Sequence, residues 1–163
     1  MSAALMRVVL VVVGVLLASA VQAADVTIYN NLPTDVPKRT SSTNIVCTSA
    51  TICYVFYGDA TDNDFKYKKT ADAGATWGTA VSVKAFTYSA QAIWYDKWTP
   101  GDSGTKIHLV YVDNAGDDVF YRTLDTSSDT LGTERTVLNG TNFVAQNFLT
   151  IAKSRGGNIY VAW

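Results

Sequence analysis

The chain has 163 residues, 48% of them hydrophobic and 17% charged, with 13 Lys+Arg against 14 Asp+Glu. That balance fits an ordinary globular chain and excludes a disordered, coiled-coil or collagen-like one. A formal net charge of -1 leaves no electrostatic footprint for nucleic acid or for a polybasic membrane contact.

Every acidic residue except Glu134 is Asp. Asp favours turns where Glu favours helices, and nine Tyr, six Phe and four Trp add strand propensity, so the chain reads as all-β. Met1 to Ala23 has the form of a secretory signal peptide: Arg7, then the apolar run from Val8 to Ala18, then small residues ending at Val21-Gln22-Ala23. The run is about half the ~20 residues that a membrane-spanning helix needs, which predicts cleavage near Ala23 and a secreted or periplasmic chain with no membrane anchor after cleavage. Residues 24–43 form a lead-in segment. Export favours a disulfide between Cys47 and Cys53, which five residues separate between two strand-like runs that a tight turn would bring face to face. A loop so short adds about 2 kcal/mol. A metal pair is the weaker reading because His108 is distant and no third thiol exists. No metal and no cofactor are expected.

From residue 44 onward a strand-turn-strand pattern recurs. Cys53–Tyr57, an acidic turn over 59–64 and Phe65–Lys68 are matched by Ile107–Val112, an acidic turn over 113–118 and Val119–Arg122, about 55 residues later. A further copy begins at Ile159–Trp163. The predicted strands are 44–48, 52–57, 64–70 and 77–84 in the first unit, and 90–97, 106–113, 118–124 and 133–138 in the second. In each unit the second strand is apolar at nearly every position, as expected when both faces are buried. In the strand 77–84, Trp77, Thr79, Val81 and Val83 share one face. Four short antiparallel strands per repeat is the pattern of a β-propeller blade. The expected fold is therefore a partial β-propeller of about two and a half blades, over 44–86, 89–138 and 144–163. Because propellers close with about four to eight blades, the chain reads as the N-terminal part of a longer protein. Its open sheet edges are candidates for self-association.

The turn between the third and fourth strands of the first unit carries a sharp motif, Thr70-Ala71-Asp72-Ala73-Gly74-Ala75-Thr76-Trp77. Asp72 is suited to accept backbone N–H bonds in the turn, Gly74 to supply a positive φ, and Trp77 to pin the turn to the sheet. This segment resembles the Asp-box, or bacterial neuraminidase repeat, of the sialidase superfamily, and its flanks Phe65–Lys69 and Gly78–Val83 are similar to those usual there. Thr70, Asp72, Gly74, Thr76 and Trp77 are its structural residues. In the second unit Thr123-Leu124-Asp125-Thr126-Ser127 keeps Thr and Asp but loses Gly and Trp.

The resemblance implies a sialidase-like propeller whose parent is an exo-α-sialidase-type glycoside hydrolase acting on glycans. In that family three arginines hold the sugar carboxylate, for which a guanidinium fork is well shaped, and a Tyr assisted by a Glu performs the cleavage with an Asp acid/base. Arg39 is the candidate for the first arginine, although the family's Arg-Ile-Pro motif is absent here, where Arg39 is followed by Thr40-Ser41. Arg122, Arg135 and Arg155 do not form an obvious triad, and Glu134 reads as a surface partner of Arg135. Most catalytic positions would fall beyond residue 163, so this chain alone is not expected to be active. The alternative is a non-catalytic propeller module that binds glycans or protein partners at the cell surface, which the missing Arg-Ile-Pro favours.

Three further signals read as structural. Gly101-Asp102-Ser103-Gly104 matches the loop around a trypsin-like serine, but His108 is too close in sequence and the segment reads as a plain turn. The acidic turns lack the full ligand spacing of a Ca²⁺ loop. Trp94, Tyr95 and Trp98 are candidates for an aromatic sugar platform, set against the expectation that one face of a strand is core.

Overall fold

The structure, a computed structural model, describes residues 27–28, 44–59, 61–85, 88–113, 118–140 and 149–163. The signal segment, Arg39, the centre of the second acidic turn and residues 141–148 lie outside them. The described residues are all-β, arranged as three antiparallel sheets in chain order. The first joins β1 (Ile45–Cys47), β2 (Cys53–Gly58), β3 (Phe65–Thr70) and β4 (Val81–Lys84). The second joins β5 (Tyr88–Tyr95), β6 (Lys106–Asp113) and β7 (Asp118–Asp125), with β8 (Thr130–Leu131) and β9 (Arg135–Leu138) both paired to β7. The third pairs β10 (Thr150–Lys153) with β11 (Ile159–Ala162). A single 3-10 turn, Asp96–Trp98, follows β5. No helix among the described residues is long and apolar enough to cross a membrane.

Alternation along β6 explains the stacking. Ile107, Leu109 and Tyr111 join Tyr54, Phe56, Phe65, Tyr67 and Val83 in a cluster between the first and second sheets. Val110 and Val112 point the other way and join Leu149 and Ile151 between the second and third. Both faces of the second sheet are thus covered, which is why β6 reads as a continuous apolar run. The first interface is also tied by polar groups. Arg122 donates from Nε to Gly132 O and from Nη1 to Val83 O, each at 2.6 Å. Gln91 Nε2 reaches Asn44 Oδ1 at 2.9 Å.

Cys47 and Cys53 are opposite each other in the β1–β2 register and form the expected disulfide. Two strands differ from the sequence reading. The fourth strand of the first sheet starts at Val81 rather than Trp77, because Gly78 N–H turns back to Lys69 O at 2.8 Å and a register shift separates Phe65 from Lys66. Val81 is consequently 41% exposed although it has the same parity as Val83. In the second sheet the outer strand is split into β8 and β9. Gly132 N–H bonds Thr123 O at 2.8 Å, and a Cβ at Gly132 would stand 2.5 Å from Thr123 Oγ1.

Candidate functional site

The motif over 70–77 forms a turn closed by its own side chains. Thr70, buried at the end of β3, donates from Oγ1 to Asp72 Oδ1 at 2.7 Å and accepts the Gly74 N–H at 3.0 Å. Asp72 also takes the Thr76 N–H at 2.9 Å on Oδ1 and the Thr76 hydroxyl at 2.6 Å on Oδ2. The hydrogen bonds from Thr76, then from Thr70, hold the Asp72 carboxyl down to about 2. Gly74 has φ +92°, a region in which a side chain is strained. Trp77 is half-buried. Asp72→Ala should therefore leave the sheet paired but free the Thr76 amide, so that its hydrogen exchange speeds up while that of β2 does not. Unchanged exchange at Thr76 would show that the backbone holds the turn without Asp72. The side-chain bonds of this motif stay within the turn, while Ala73 N–H reaches Thr51 O in the β1–β2 turn at 2.9 Å, so the motif connects two strands and ties the neighbouring hairpin to them.

A second constellation, not anticipated from the sequence, lies between the second and third sheets. Asp96 is 3% exposed at the start of the 3-10 turn. Its Oδ1 takes a hydrogen bond from His108 Nε2 at 2.7 Å and a contact from Lys153, while Oδ2 takes the Lys106 N–H at 2.9 Å. On the far side of the imidazole, His108 Nδ1 meets the Tyr121 hydroxyl at 2.6 Å. Lys153, from β10, also pairs with Asp102 at 2.8 Å. Burial would raise the Asp96 carboxyl, but the bonds from Lys153 and His108 outweigh it and hold it below the usual range. Burial pushes His108 down, more than Asp96 pushes it up, so the ring is neutral at neutral pH. The His108–Asp96 contact is then a hydrogen bond from a neutral ring rather than an ion pair. This assigns the Nε2 proton to the Asp96 side, so Nδ1 accepts from Tyr121. The Tyr121 oxygen is left with acceptor capacity. Tyr121 lines a groove of about 710 Å³ together with Arg135, Val137, Ile159 and Val161. Chemically, the chain Asp96–His108–Tyr121 can accept a proton at its tyrosine end and hold it on an imidazole beside a carboxylate.

The sign of the acid response follows. His108 sits below its ordinary value near 6.5 in the fold, so the unfolded chain binds that proton more readily and stability falls as pH drops below about 6.5. Asp96 sits below 3.8, and its contribution, present above that pH, is lost as pH falls further. Thermal scans should show two stages of acid destabilisation, and His108→Gln should remove the first. A profile flat from neutral pH to about pH 5 would contradict the assignment of a neutral, buried ring.

The residues singled out from the sequence are dispersed. Arg39 lies outside the described residues. Arg122 is engaged with two carbonyls, Arg135 lines the groove, and Arg155 stands in an exposed turn near Asp102 and Ser103, so these three form no carboxylate clamp. Glu134 does not pair with Arg135. It bridges the first two sheets by accepting from Lys84 at 2.5 Å and from the Tyr111 hydroxyl at 2.7 Å. In the Gly101–Gly104 turn, Asp102 Oδ1 accepts the Gly104 N–H at 2.8 Å, and a Cβ on Gly104 would stand 2.2 Å from Asp96 Oδ2. That glycine makes room for the Asp96 carboxylate. In the first acidic turn Asp59 and Asp62 both pair with Lys66, and no group of three metal-ligating side chains occurs among the described residues. The aromatic platform does not assemble. Tyr95 faces the first-sheet core, Trp94 faces the other way and donates to Thr99 Oγ1 at 3.0 Å, and Trp98 meets both rings edge-on. The chain matches no family model, no curated protein and no solved structure.

Proposed function

We propose that the chain is the opening part of a sialidase-like Asp-box β-propeller, in which the three sheets are successive blades. On this reading the parent protein is an exported exo-α-sialidase-type glycoside hydrolase acting on glycans. The observation that carries the reading is the turn at 70–77. Its Thr, Asp, Gly and Thr positions engage one another as the motif requires, and they do so between the third and fourth strands of a four-stranded meander. The order of β1–β4, repeated in β5–β9 and begun again in β10–β11, supports the repeat architecture.

The chain contributes scaffold rather than chemistry in this proposal, with Arg39 as its one candidate for the substrate carboxylate. The non-catalytic alternative, a module binding glycans or protein partners, is favoured by a specific observation: Arg122 is committed to backbone carbonyls. The two readings separate on the longest continuous reading frame that contains this sequence. Turnover of a fluorogenic sialoside that is lost in Arg39→Ala supports the enzyme. Retention on a glycan surface without turnover supports the module. Neither turnover nor retention would overturn the glycan reading altogether. Secretion is tested separately by N-terminal sequencing of the exported chain, which should begin near Ala24.

A further inference from the structure

We propose that Asn139, just past the end of β9, is a self-modifying site whose side-chain amide closes onto the Gly140 nitrogen to give a succinimide, and then isoaspartate or aspartate, at a rate that Asp118 holds down. The site is independent of the glycan reading.

The dipeptide is the first observation. Of the nine asparagines in the chain, Asn139 alone is followed by glycine. Cyclisation needs the backbone nitrogen of the next residue to reach the side-chain carbonyl carbon, and a Cβ on that residue obstructs the approach. The reacting atoms belong to adjacent residues, so no second molecule has to be brought up and oriented. Asn139 is exposed and follows Leu138, the last residue of β9, which leaves its side chain outside the ladder and open to water. In the step, the Gly140 nitrogen attacks Asn139 Cγ and gives its proton to water, and the side-chain nitrogen leaves as ammonia. Water then opens the ring at either carbonyl. The net change is asparagine plus water to isoaspartate or aspartate plus ammonia, and nothing is oxidised or reduced.

What holds the nitrogen is the second observation. Gly140 N–H bonds Asp118 Oδ1 at 3.0 Å, from the first residue of β7. The proton that must be surrendered is therefore engaged, and the carboxylate beside it opposes the negative charge that builds on nitrogen as the proton leaves. The first repeat shows the same tie without the chemistry. Asp64 precedes Phe65 as Asp118 precedes Val119, and its Oδ2 accepts the Ser82 hydroxyl of β4 at 2.9 Å. In both sheets the last acid of the acidic turn is bonded to the outer strand or its end. Only in the second does the bond fall on a reactive nitrogen, because the first outer strand runs on as Val83-Lys84-Ala85. The groups involved lie on β7 and just past β9, so the site is complete within the second sheet.

Asn139 has a competing fate. Thr141 completes the Asn-x-Thr pattern of an N-glycan acceptor, and a glycan would occupy the nitrogen that must leave. Cyclisation fits better because it needs only the neighbouring glycine and water, whereas a glycan requires a sugar donor and a transferase.

The test follows the full chain through storage at mildly alkaline pH, with mass spectrometry of the tryptic peptide 136–153. That peptide also contains Asn142 and Asn147, each followed by phenylalanine, as slow internal references. Asn139 should convert first, with isoaspartate in excess of aspartate. Asp118→Ala should speed conversion about tenfold, and should speed exchange of the Gly140 amide with it, because both reactions need the same N–H released. Unchanged exchange in β6 distinguishes this release from unfolding. Asp118→Asn keeps an acceptor and should fall between the two proteins, and it carries the test if the alanine variant does not fold. Gly140→Ala should slow conversion in either background. No faster conversion at Asn139 than at Asn142 and Asn147 would overturn the site. Conversion that is unchanged or slower in the Asp118 variants would overturn the control by Asp118. A glycan on Asn139 of the exported protein would overturn the proposal as a whole.

Discussion

Replacing Asp96 with alanine should cost about 3–5 kcal/mol, the largest loss expected from any polar substitution in the chain. The carboxylate is almost completely buried and takes hydrogen bonds from His108, Lys153 and the Lys106 amide, which belong to two different sheets. Removal leaves the Lys153 ammonium with Asp102 alone and leaves the Lys106 N–H without its acceptor. Domains are stable by only about 5–15 kcal/mol, so a melting temperature lower by at least about 8 °C is expected. Asp96→Asn should fall between the two proteins, since an amide can still accept from the backbone but repels nothing and attracts no cation. A loss below about 1 kcal/mol for Asp96→Ala in urea unfolding would mean that water replaces the carboxylate, and that the third sheet is held by its apolar contacts alone.

Tyr111→Ala should be comparably severe, about 3–5 kcal/mol, by a different mechanism. The ring is 0% exposed, lies 5.3 Å from Phe65 and 6.0 Å from Phe120 between ring centroids, and sends its hydroxyl to Glu134. Alanine opens a cavity in the middle of the interface between the first and second sheets and removes one of two donors from a partly buried carboxylate. Burial would raise Glu134, and the bonds from Lys84 and Tyr111 hold it below the usual range. Tyr111→Phe separates the contributions, because it keeps the ring and should cost only about 1 kcal/mol. Equal losses for the two variants would place the energetics in the hydroxyl rather than in the packing.

The all-β class was legible in residue choice alone, because Asp outnumbers Glu, and aromatic residues recur at strand positions. The second strands were the clearest elements. β6 was expected over 106–113 and is found there, since its six central residues, Ile107 to Val112, are buried on both faces and the charged Lys106 and Asp113 mark its ends. The Cys47–Cys53 pair was legible for a local reason, two thiols at facing positions of one hairpin. The outer strands were less legible. The run 77–84 alternates as a strand should, yet the Gly78 turn bond and the bulge beside Phe65 postpone pairing to Val81, and neither is encoded in alternation.

The polar sites were hardest to read, and their sequence separation explains it. The turn at 70–77 closes within eight residues, so its hydrogen bonds follow from local spacing. Asp96, His108, Tyr121 and Lys153 are spread over 58 residues and three β-strands plus the 3-10 turn. Asp96 reaches His108 because the β5–β6 register sets Trp94 against His108, and Lys153 arrives only when the third sheet packs on the second. Glu134 likewise passes over its neighbour Arg135 for Lys84, fifty residues away. The all-β class, the disulfide and the turn at 70–77 were therefore legible along the chain, since each depends on side-chain alternation or short-range spacing. Only the stacking of the sheets decided which charges meet, because a buried carboxylate takes the partner that packing brings within hydrogen-bond reach, whatever stands beside it in the chain.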